Sequence, residues 1–167
     1  LTGGVGPVGI GGKRSTGLRL FGQREVPDSV IMGRLVAPTV ARPGPAAYAH
    51  GGTEPTVTDA NLVLGYLNPE FFAGGSMKLS LGAAARAIEE RVARALGLSL
   101  EQAAWGIHQI VNTNMELATR VVSIERGRDP RDLTLIAFGG SGPVHGCRLA
   151  QALGIPRVIL PAAAGVT

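Results

Sequence analysis

The sequence predicts an α/β fold in which parallel strands are covered by helices. Three observations predict it. A strand, a tight glycine turn, a helix and a second strand follow one another between residues 133 and 160. Two consecutive segments between 80 and 126 carry apolar residues every three or four positions. Finally, 45% of the 167 residues are apolar, enough to build one core. One compact domain is expected, with Gly/Pro-rich turns and short strands over 1–50 and the α/β region over 51–167.

Composition excludes several function classes. No apolar run approaches the roughly 20 residues that span a bilayer, so no membrane partner is expected. The single cysteine, Cys147, cannot form an internal disulfide, and no signal peptide is readable, which points to the cytoplasm. The net charge is +4, but the 16 basic residues are scattered, and the densest stretch, at Lys13 and Arg14, has no interleaved aromatics. Nucleic acid is therefore not an expected partner. A chain that opens on Leu1 and stops at Thr167, just past an apolar strand, reads as a fragment or a processed chain.

In residues 1–50, Gly3-Gly4, Gly11-Gly12 and Arg42-Pro43-Gly44-Pro45 separate short apolar runs such as Val30-Ile31-Met32. Gly11-Gly12-Lys13-Arg14-Ser15-Thr16 superficially resembles a P-loop, but that motif requires Ser or Thr directly after its Lys. Tightly turned backbone is the expectation there. Thr53 to Thr58 then reads as extended, and Asp59 sits where a helix N-cap belongs, ahead of Ala60 to Leu64.

Ser80 is positioned to cap a helix carrying Ala84, Ile88, Val92 and Ala95 on its apolar face and ending at Gly97. Ser99 and Gln102 form a capping box for a second, long helix. Its expected apolar face is Ala103, Ile107, Ile110, Val111, Met115, Ala118 and Val122, with a stop at Gly127. Asn112 and Asn114 are poor helix formers in its middle, suited either to a ligand or partner contact or to a buried hydrogen bond. Asp129 to Asp132 is a loop, Leu133 to Phe138 a strand, and His145 to Leu153 a helix closed by Gly154. Arg157 to Leu160 is the next strand.

The turn Gly139-Gly140-Ser141-Gly142-Pro143 between strand and helix is the most informative local feature. Glycines allow close backbone approach, and the helix that follows directs free N–H groups toward an anion. A nucleotide or phosphate site is one reading. A plain exit from a parallel strand is the other, since the G-x-G-x-x-G order of a dinucleotide site is missing. His145 and Cys147, two apart on a helix, point in different directions and make no obvious base and nucleophile. His145 either lines the turn or has a packing or capping role, and His50 and His108 have no neighbours at metal-ligand spacing. No metal site is expected.

The run Pro43 to Tyr48, followed by Gly51-Gly52-Thr53-Glu54-Pro55-Thr56-Val57-Thr58-Asp59-Ala60-Asn61-Leu62-Val63-Leu64-Gly65, strongly resembles the hydantoinase A / 5-oxoprolinase family. A second block, Asp129 to Asp132 through Ala137-Phe138-Gly139-Gly140-Ser141-Gly142-Pro143-Val144-His145, resembles the same family's later signature. The resemblance implies part of an actin-like fold of the sugar-kinase and heat-shock ATPase kind, using ATP and Mg. By position, Gly139, Gly140, Ser141 and Gly142 would line the nucleotide. Glu54, Thr58 and Asp59 would form a neighbouring polar wall, with Asp59 and Glu54 as candidate catalytic carboxylates and Thr58 toward the cofactor. The implied reaction is ATP-dependent opening of a small cyclic amide of the hydantoin or 5-oxoproline type, with a second, hydantoinase B-like subunit or domain and an oligomeric assembly. Phosphorylating the amide oxygen would give water a better electrophile. Carboxylation of a ketone, within the same family, and a non-catalytic assembly domain are the alternatives. Two departures are visible: Ala47 replaces the motif's usual cysteine, and residues 1–42 do not match the family's Gly-Gly-Gly-Ser segment. The family's phosphate-positioning and Mg-binding loops lie further upstream, so the isolated stretch is expected to be inactive.

Overall fold

The computed structural model describes residues 17–18, 26–27 and 43–164. The glycine run from Gly3 to Gly12, the basic stretch at Lys13 and Arg14, and Val30 to Met32 lie outside the described residues. Two short strands, β1 (Gly17–Leu18) and β2 (Val26–Pro27), pair antiparallel with Gly17 opposite Pro27.

Three helices follow. The first, α1 (Val57–Val63), is capped by Thr56, whose side chain accepts from the Asp59 amide while Asp59 accepts from the Thr56 amide. The expected N-cap thus shifts: Asp59 is the third helical residue of a capping box, and Thr56 is the cap. Its extended backbone (φ −123°, ψ 171°) starts the helix one turn earlier than the apolar pattern indicates. The second, α2 (Leu81–Ile88), starts on Ser80, whose hydroxyl accepts from the Ala83 amide. It continues through a wider π turn, Glu89–Ala93, where the Arg94 amide bonds back five residues to Glu89, and ends with Arg94–Leu96 at Gly97. The third, α3 (Leu100–Ser123), opens on the expected Ser99–Gln102 capping box and stops at Gly127 after one tighter turn, Ile124–Arg126. Each cap contributes about 1 kcal/mol.

Small residues let these helices approach closely. Ala60 of α1 packs with Ile88, Val92 and Ala93 of the second helix and with Ala103, Ala104 and Ile107 of α3. A neighbouring cluster of Ala47, Leu62, Leu79 and Ala84 fixes the segment before α1. The expected apolar face of α3 is half right. Ala103, Ile107 and Ile110 are buried, whereas Ala118 is exposed and Val122 is 55% exposed. The reason is length: α1 and α2 cover only the first half of α3, and its apolar residues run on beyond them.

The α/β unit is as expected. Strand β3 (Thr134–Ile136) leads through the glycine turn to α4 (Gly142–Leu153), and β4 (Arg157–Ile159) pairs with β3 in parallel, Leu135 opposite Val158. Ala150, Leu153 and Ile155 form a third cluster with Leu135 and Val158, which seats α4 on the strands. No helix among the described residues is long and apolar enough to cross a membrane.

Candidate functional site

The glycine turn is built where β3 ends. The Ala137 amide donates to Ile159 O at 3.0 Å, extending the ladder by one bond, and the Gly139 amide donates to Ala164 O. Gly139 takes φ +80°, a left-handed conformation that other residues adopt only with strain. A Cβ at Gly139 or Gly140 would meet no atom within 4 Å, so the outer wall of the turn is open. Thr56, Ser80 and Ser99 each cap their helix through a side chain, but Ser141, at the start of α4, makes no such bond. Among the described residues, the first turn of α4 is therefore the one start of these four helices without a side-chain cap, and it faces the glycine turn.

Behind the turn, α4 lies close against the strands. A Cβ at Gly146 would come within 2.9 Å of Ala137 Cβ. Gly146→Val is expected to push α4 off β3 and cost about 3 kcal/mol, read as a lowered urea midpoint. An unchanged midpoint would mean that helix and strand are not held at this contact. A cavity of about 190 Å³ lies beside the turn, lined by Ala137, Phe138, Gly142, His145, Leu149 and Met115 among others. A larger concavity of about 460 Å³ sits at the opposite end of α4; its Arg120 and Arg131 are already paired with Glu116 and Asp129.

His145, which lines the smaller cavity, belongs to a buried polar network joining α1, α3 and α4. Asn112 Nδ2 donates to His108 O at 2.8 Å. A carbonyl can only accept, so this bond orients the amide and turns Asn112 Oδ1 toward His145 Nδ1, which donates to it at 3.1 Å. His145 Nε2 is then an acceptor, facing Asn61 Nδ2 at 3.5 Å, and Asn61 Oδ1 accepts from His108 Nδ1 at 2.9 Å. The donors run in one direction and the loop closes on His108, whose own Nε2 is buried without a partner. The two imidazoles stack with centroids 4.8 Å apart, and Trp105 stacks on His108 at 5.5 Å. Burial, then the neighbouring His145 and Arg148, push His108 down to about 4, and burial also lowers His145.

The other predicted residues are placed as follows. Asp59 is fully buried, and its carboxylate accepts from the amides of Ala46 (3.3 Å), Ala47 (2.7 Å) and Thr56 (2.8 Å) and from Thr56 Oγ1 (2.8 Å). Both oxygens thus tie the loop before α1 to the helix start. Glu54 pairs with Arg91 at 2.8 Å, with both side chains about half exposed. Thr58 is half-buried in the first turn of α1. Cys147 is exposed, while His145 two residues away is buried, so the helix does separate them.

The profile of the hydantoinase/oxoprolinase family matches residues 34–167. The chain belongs to this family. It is 51% identical over 121 residues to the caprolactamase subunit alpha of Pseudomonas jessenii, a match spanning 72% of this chain and 17% of that protein. It is 48% identical to the acetophenone carboxylase gamma subunit of Aromatoleum aromaticum, over 72% of this chain and 16% of the relative. The crystal structure of the ATP-dependent caprolactamase from P. jessenii superposes with a TM-score of 0.69 at 48% identity, covering 77% of this chain and 18% of that one. The chain therefore spans about a sixth of the length of the curated relatives it matches.

Sequence reasoning missed the role of Asn61 and His108 in this hydantoinase/oxoprolinase chain. The signal was present: His108 falls directly after Ile107 on the buried side of α3, where a polar residue requires a partner. Asn112, one turn later, is half-buried, and of its two readings it takes the hydrogen bond.

Proposed function

We propose that this chain forms the nucleotide-side part of an ATP-dependent enzyme that opens a small cyclic amide. Gly139, Gly140, Ser141 and Gly142 would line the nucleotide in an actin-like cleft. The observation that carries the reading is the open glycine turn ahead of an uncapped α4, in a chain 51% identical to a caprolactamase subunit. ATP would supply the phosphoryl group that turns an unreactive amide oxygen into part of a leaving group; the turn's part is to bind and orient. Mg would accompany ATP, and we assign no described residue to it. Asp59 enters as the residue that fixes the segment from Ala46 to Thr56, and we assign proton transfer to neither Asp59 nor Glu54. Several relatives are named as subunits, which supports a second, hydantoinase B-like subunit as partner.

Calorimetric titration of the full-length protein with ATP and Mg tests the reading. Gly140 has an ordinary backbone conformation and open space around it, so Gly140→Asp should fold and act through its charge. We expect affinity to fall at least about tenfold through repulsion of the phosphates. A folded wild type that binds no ATP removes the reading, and equal affinity in the variant moves the nucleotide away from this turn. The 48% identity to a ketone-carboxylating relative favours carboxylation as the second reading. ATP turnover stimulated by a lactam separates the first from turnover stimulated by a ketone with bicarbonate.

A further inference from the structure

We propose that Asn61, His108, Asn112 and His145 form a proton-sensitive latch that positions α4, and with it the glycine turn, and that closes only when both imidazoles are neutral. The proposal rests on the nucleotide reading for what the turn holds, but the latch itself stands on the geometry.

Because the loop is directional, each histidine has one permitted state. His145 must present a lone pair at Nε2, since Asn61 Nδ2 faces it as a donor. A proton there sets two donors against each other. His108 donates through Nδ1, so an added proton must sit on Nε2, which is buried without an acceptor. Asn112 cannot flip to adapt, because the carbonyl of His108 holds its NH₂, and a flip of Asn61 would aim its own NH₂ at the Nδ1–H of His108. The groups facing the pair add to this. His145 and Arg148 both act electrostatically on His108 against protonation, and Arg148 lies over the Trp105 ring at 4.9 Å. Tyr66 contributes a tilted ring 5.0 Å from His108, and α1 contributes the uncharged Asn61. His145 is three residues inside α4 from Gly142, so releasing it frees the helix end that carries the turn.

Hydrogen exchange of the α4 amides in the full-length protein, corrected for intrinsic pH dependence, reads the latch directly. Protection in the wild type should fall at least about tenfold between about pH 7.5 and about pH 5. His145→Gln keeps one donor and one acceptor but does not titrate, so only His108 is left to respond and protection should fall clearly less than in the wild type. Asn61→Asp replaces the donor facing Nε2 with an acceptor, so protection should persist to lower pH than in the wild type. A flat wild type, or the same loss in His145→Gln, overturns the proposal, and Asn61→Asp decides it if the glutamine variant fails to fold. ATP affinity should weaken with the same pH profile in the wild type and less in His145→Gln, which carries ATP's own protonation as a control. ATP that binds at about pH 7.5 and holds its affinity in parallel with the variant also overturns the latch. If no ATP binds at about pH 7.5, the nucleotide reading fails, and the exchange data alone decide the latch.

Discussion

Replacing Asp59 with alanine is expected to lower stability by about 4 kcal/mol, the largest effect of any single change considered. The carboxylate accepts four hydrogen bonds, two of them from the buried amides of Ala46 and Ala47. Alanine leaves those amides without partners at roughly 1–3 kcal/mol each, and it removes half of the capping box of α1. Asp59→Asn fits the same space but turns an NH₂ toward one set of donors, so its loss should be intermediate. Urea denaturation of both variants measures this. A variant that keeps its midpoint while losing turnover would return Asp59 to the reaction and overturn its assignment as a tie between loop and helix.

The second large effect is acid sensitivity. His108 is neutral in the fold, with its pKa pushed down to about 4 by burial and by its neighbours, against 6.5 when unfolded. Between these values the unfolded chain binds the proton and the folded one does not. The stabilisation is complete above about pH 6.5 and is lost as pH falls toward about 4, a change of about 3 kcal/mol. Denaturation midpoints across this range, compared with those of His108→Gln, isolate the histidine from the carboxylates that titrate nearby. Equal slopes in the two proteins would show that His108 is not the group responsible.

Much of the fold was legible because its signals are local. Ser80 and Ser99 with Gln102 mark helix starts, and the left-handed glycines at 97, 127 and 154 mark helix ends, through geometry set within a few residues of themselves. The strand–turn–helix–strand unit was readable for the same reason. Asp59 was misread as a cap because its decisive partners, Ala46 and Ala47, are 13 and 12 residues away. The imidazole network escaped for a stronger reason. Its bonds join residues 47 and 84 positions apart, and nothing in the spacing of Asn61, His108 and His145 announces that three helices bring them together. The extent of the buried face of α3 was likewise illegible, since apolar residues repeat along its length and only packing shows where the cover stops.

The π turn at Glu89–Ala93 gives α2 a place where its length can vary without disturbing the rest. One surplus residue is looped into the spiral there, while Ile88 just before the turn and Val92 and Ala93 at its end still reach the same core. Loss of a residue within this stretch would let the turn tighten into ordinary helix and leave both flanks in phase. Elsewhere along the same helix, a one-residue deletion would swing every later side chain about 100° around the axis and turn the apolar stripe toward water.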